Sequence, residues 1–72
     1  MATNVALLAR LASQLADFDL GETLTEKMPV WRDVFGKTDD AATEEAAREF
    51  AKRHRCTFRH DVEQGLGIFE RR

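Results

Sequence analysis

Near Arg55 the spacing of apolar residues changes, and this limits the folds open to the chain more than any other feature. Before it, Ala42, Ala46, Ala47, Phe50 and Ala51 recur at helical intervals, a narrow stripe of small residues anchored by Phe50. After it, Cys56, Phe58, His60 and Val62 alternate with Thr57, Arg59, Asp61 and Glu63, the period of a strand. A helix of about residues 40–55 therefore runs into an antiparallel β-hairpin of about residues 56–71. Thr38, Asp39 and Asp40 offer capping oxygens to the first amides of that helix. Glu44 and Glu45 sit near its positive end, and Lys52, Arg53, His54 and Arg55 at its negative end, as the helix dipole favours. Glu44 with Arg48, and Glu49 with Arg53, stand at i,i+4.

The spacing predicts a three-residue loop, Glu63-Gln64-Gly65, with Gly65 in the left-handed conformation. That loop pairs Val62 with Leu66, His60 with Ile68 and Arg59 with Phe69. Cys56, Phe58, Val62, Leu66 and Ile68 then face the helices, and Arg59, Asp61, Phe69 and Arg71 face away. A slip of one residue exchanges the two sets. A two-stranded sheet alone is marginal and has two open edges, so it calls for a further strand, a second copy or a partner.

Upstream, Leu7, Leu8, Leu11, Ala12, Leu15 and Phe18 fill a broad arc of a helix spanning about residues 4–20. Arg10, Ser13, Gln14 and Asp17 fill the opposite arc. Thr3 or Asn4 can cap this helix, and Gly21 can stop it. Thr23-Leu24-Thr25-Glu26 matches a capping box, which favours a helix over about residues 23–35, broken at Pro29. The same residues alternate, so a short strand is the other reading. Pro29 suits a helix start, with Val30, Trp31, Val34 and Phe35 on one side of the helical turns after it and Gly36 closing them. The expectation is α+β: about three short helices and a C-terminal hairpin packed on them, in one small domain of residues 1–72.

Charge is divided unevenly. Residues 1–47 carry four bases against nine acids, and residues 48–72 carry seven against four, within a net charge of −2. A basic end can meet an acidic surface, or simply balance the acidic part of the same domain. With one cysteine no internal disulfide can form, which fits a reducing, cytoplasmic setting. No targeting segment is evident, and no stretch reaches the ~20 apolar residues of a membrane helix. A membrane-surface role for the first helix is disfavoured, because its polar arc carries Arg10 alone and not the several lysines and arginines such helices use.

The only cluster of reactive residue types is His54, Cys56, His60 and Asp61. It lacks the paired spacing of a zinc site. On one strand Cys56 and His60 stand about 13 Å apart, too far for a base to reach a thiol proton. The acidic pairs Asp39-Asp40 and Glu44-Glu45 are accounted for by helix capping and the helix dipole, and Gly65 and Gly67 form no phosphate loop. The chain is therefore expected to be no enzyme and to need no cofactor or metal.

Helices followed by a hairpin form an order similar to the winged-helix layout, with residues 41–55 as recognition helix and 59–71 as wing. That resemblance implies a nucleic-acid-binding regulator. Recognition helices present their N-terminal residues to bases, and here these include Asp39, Asp40, Glu44 and Glu45, which repel phosphates. In size and composition the chain is similar to small accessory proteins of phages and mobile elements, including inhibitors of host complexes. The favoured reading is a non-catalytic protein-binding module. Its surface is expected to include Arg48, Lys52, Arg55, Arg59, Phe69 and Arg71, centred on Arg59 and Phe69. Pairing of hairpin edges into a homodimer is also expected.

Overall fold

The computed structural model describes residues 5–72. They form α1 (Val5–Ala16), β1 (Thr23–Lys27), α2 (Met28–Phe35), α3 (Asp40–Arg53), β2 (Cys56–Asp61) and β3 (Leu66–Arg71). The architecture is α+β, with helices packed against one face of an antiparallel sheet. The sheet has three strands in the order β1-β3-β2, so the hairpin does not stand alone. β3 is central, and β1 and β2 are the edges. Among the described residues no helix is long and apolar enough to cross a membrane.

Residues 23–27 are a strand, not the start of a helix. They pair along β3 from Thr23 opposite Glu70 to Lys27 opposite Leu66. The ladder offered by β3 outweighs the local capping-box pattern, since strand formation follows tertiary context. α2 then starts at Met28, with Pro29 in its first turn and Gly36 as left-handed C-cap. Met28, Trp31, Val34 and Phe35 are buried, whereas Val30 is 43% exposed, off the face those four share.

α1 ends at Ala16, short of the expected Leu20. Chain reversal begins there: Asp17 and Phe18 donate to the carbonyls of Gln14 and Leu15. Gly21 then donates to the Arg71 carbonyl, and the Arg71 amide to Glu22. Leu11 and Leu15 are buried, with Leu7, Leu8 and Phe18 packed around the core. The expected caps Thr3 and Asn4 lie outside the described residues.

α3 begins as its sequence implies. Asp39 Oδ1 accepts from the Ala42 amide at 2.7 Å. Thr43, Ala47 and Ala51 are fully buried, and these small side chains let the helix lie close on β2. Glu44 meets Arg48 at 3.5 Å, but Glu49 pairs with Lys52 at 3.8 Å rather than with Arg53. The helix ends at Arg53, and Arg55 takes a left-handed φ of 57° to redirect the chain into β2.

The hairpin register differs by one residue from that expected. Asp61 pairs with Leu66 and Phe58 with Phe69, leaving the four-residue loop 62–65. Gly65 is left-handed there, with φ 67°. Asp61 Oδ1 accepts from the Gln64 amide at 3.3 Å, a side-chain turn that supports the longer loop. The slip puts Phe69 inside, 0% exposed, and leaves Val62 78% exposed. Leu66 and Ile68 pass to the open face.

Core packing explains why this register wins. Phe69 has ring contacts with Trp31 at 4.9 Å and Phe58 at 4.8 Å between centroids, and lies 6.5 Å from both Phe35 and Phe50. Each such pair adds about 0.5–1.5 kcal/mol beyond area burial. The inward position two residues earlier is Gly67, and the Trp31 indole occupies the space above it. Trp31 Nε1 donates to the Gly67 carbonyl at 2.9 Å. A Cβ on Gly67 would stand 2.5 Å from Trp31 Cδ1 and 2.6 Å from Phe58 Cζ. Gly67→Ala is expected to destabilise the fold by about 1–3 kcal/mol through overpacking. Urea unfolding checks this; an unchanged midpoint would contradict the seating of Trp31 on β3.

Candidate functional site

Alternation along the strands divides the sheet into two faces. Leu24, Cys56, Phe58, His60, Gly67 and Phe69 face the helices. The open face carries three cross-strand rows: Thr23, Glu70 and Thr57; Thr25, Ile68 and Arg59; Lys27, Leu66 and Asp61. At its centre Leu66 and Ile68 are half-buried, flanked by threonines and charges. No helix covers this face among the described residues.

The six residues expected to bind a partner do not share one surface. Phe69 is a core residue, because the one-residue slip turns it inward. Arg71 is on the same inward side, at the end of the sheet. Its guanidinium donates to the Leu15 carbonyl at 3.3 Å and the His54 carbonyl at 3.1 Å. It therefore serves the C-terminal ends of α1 and α3, whose last carbonyls lack helical partners. Arg59 is exposed on the open face, as expected. Arg48, Lys52 and Arg55 are exposed along α3 and the turn after it.

A cavity of about 400 Å³ lies against β2, lined mainly by Arg48, Thr57, Arg59, His60, Glu70 and Arg72. Lys52 and Arg55 are not among its lining residues. Arg72 is not among the residues expected from the sequence; its place on the same side of the sheet as Arg59, opposite Arg55, follows from the β3 register, and the expected register turns the end of β3 the other way. The Arg59 and Arg72 side chains have no hydrogen-bond or ion-pair partner among the described residues. Arg48 is held at one side by Glu44, whose same Oε1 atom lies 3.4 Å from His60 Nδ1.

The reactive residue types are dispersed. The Cys56 thiol is buried and donates to the His54 carbonyl at 3.3 Å. Burial pushes its pKa up, and the nearby Arg71 guanidinium opposes that in part. A thiol held protonated is a poor nucleophile. His60 lies toward the far end of β2, beside Glu44. No family model, curated protein or solved structure matches the chain.

Arg71→Met is expected to cost about 1–3 kcal/mol, since it leaves two helix-end carbonyls without their charged donor. Thermal unfolding measures this. A variant as stable as the parent would contradict this structural role for Arg71.

Proposed function

We propose that the protein is a small non-catalytic module that binds another protein through the open sheet face and the β2 edge. In this reading it acts in the cytoplasm as an inhibitor or regulator of a host complex, of the kind phages and mobile elements carry. The observation that carries it is the open face itself: Ile68 and Leu66 form an apolar centre on the central strand, with Arg59 beside it and no covering element among the described residues. Apolar centres ringed by polar groups, with arginine at hand, are the usual make-up of protein-binding patches. Dispersal of Cys56 and His60 accords with a role that needs no covalent chemistry.

Arg59→Glu and Ile68→Glu change this face without touching the core, so each should keep the parent's circular dichroism and unfolding temperature. A pull-down from the source cell is expected to recover a protein with the parent and to lose it with either variant. Unaltered recovery by both would refute this location for the binding surface.

A second reading is favoured by one observation. The strand between α1 and α2 pairs with β3 beside the hairpin, which extends the likeness to the winged-helix layout beyond the order of helices and wing. A nucleic-acid-binding regulator would present α3 and the 62–65 loop. Their exposed residues include Glu45, Glu49 and Glu63 along with Arg48 and Lys52, a poor match to a phosphate backbone. Fluorescence anisotropy with a labelled DNA duplex at low salt is therefore expected to show no binding at micromolar protein. Saturable binding there would make this second reading the better one.

A further inference from the structure

We propose that the free edge of β2 takes an extended acidic segment of a partner protein as a fourth strand. This rests on the reading of the chain as a protein-binding module and names the chemistry of what is bound.

Two features of the edge carry the inference. Among the described residues β2 pairs only with β3, so its other side presents backbone donors and acceptors that a strand can satisfy. The same edge adjoins the cavity lined by Arg48, Arg59 and Arg72, with Glu70 also in the lining and Glu44 paired with Arg48. Arg59 and Arg72 are without side-chain partners among the described residues, so their guanidinium forks are open to carboxylates. Residues of an added strand that point to the open face would meet Arg59 and Arg72, and those that point inward would meet Arg48. Backbone pairing supplies affinity, and the arginines select the sign of the segment. The other edge differs: β1 follows Glu22 and contains Glu26, with Lys27 as its single base.

Other occupants fit less well. A second copy paired through β2 would bring two sets of the same arginines to one seam, and like charges across strands destabilise. Single-stranded nucleic acid needs aromatic platforms, whereas Trp31, Phe35, Phe58 and Phe69 are buried and Phe18 and Phe50 half-buried; among the described residues the exposed large apolar side chains are Val5, Leu20, Val30 and Val62.

The test is a titration of the ¹⁵N-labelled full chain with end-capped peptides of about eight residues, long enough to span β2. One alternates threonine and glutamate, one alternates threonine and lysine, and one keeps the glutamates but has two central prolines. Oligothymidylate serves as a fourth probe. The glutamate peptide is expected to shift β2 amides saturably and slow their hydrogen exchange, with at least about tenfold weaker binding for the proline peptide and for Arg59→Glu. The lysine peptide should leave the spectrum unchanged. Four results would overturn the proposal: no β2 shifts, equal binding of the proline peptide, tighter binding of oligothymidylate, or β2 shifts that depend on protein concentration alone. If one of these occurs while Arg59→Glu still loses the captured cellular protein, strand addition falls and the open-face reading stands. If capture is also insensitive to Arg59→Glu and Ile68→Glu, both fall.

Discussion

The indole of Trp31 seated on Gly67 is the contact on which the rest of the fold depends. It joins α2 to the central strand by a hydrogen bond of 2.9 Å and by face-filling contact over a residue with no side chain. Only a glycine at that point lets the ring come so close. Once Gly67 faces inward, alternation puts Phe69 inward as well, between Trp31, Phe35, Phe50 and Phe58. The same parity sends Leu66, Ile68 and Glu70 outward. The open face is thus the complement of the aromatic core, and its composition is decided by where one tryptophan rests.

That parity also sorts the basic C-terminal third of the chain into two uses. Arg71 is turned under the sheet, where it serves the ends of α1 and α3 and lies near the Cys56 thiol. Arg48, Arg59 and Arg72 are left around the outer edge of β2. Arg71 differs from Arg59 and Arg72 in the side of the pleat it occupies, whereas Arg48 reaches the same edge from α3, where Glu44 holds it. A domain of this length holds roughly 4–11 kcal/mol of stability, so the loss of Phe69 alone, at about 3–5 kcal/mol, would threaten the whole structure. Phe69 therefore cannot serve as a probe of binding, although the enrichment of arginine and aromatics in binding patches pointed to it.

Much of this was legible in the residues. The change of period at Arg55, the Asp39 cap, Pro29 in the first turn of α2, the left-handed Gly65 and the exposure of Arg59 all obey local rules. What was missed depends on contacts far apart in the chain. Thr23-Leu24-Thr25-Glu26 carries a local helix-start signal, and only the vacant edge of β3 makes it a strand. The hairpin register turned on whether the loop held three residues or four. Local apolar alternation in β2 fits both, because Val62 is the single residue whose side it decides there. Two signals pointed to the longer loop: Asp61, able to accept from an amide three residues on, and the bulk of Phe69 against that of Ile68. With Phe69 inside, strand alternation puts Ile68 and Arg72 on the outer side.

The pairing of β2 with β3 in solution tests the central claim most directly. Nuclear Overhauser contacts between backbone protons across the hairpin should place Phe58 opposite Phe69 and Asp61 opposite Leu66, with the Trp31 indole proton slow to exchange and close to Gly67. Contacts that place Arg59 opposite Phe69, with an indole proton in free exchange, would show that Trp31 does not sit on Gly67 and would exchange the inner and outer faces of the sheet.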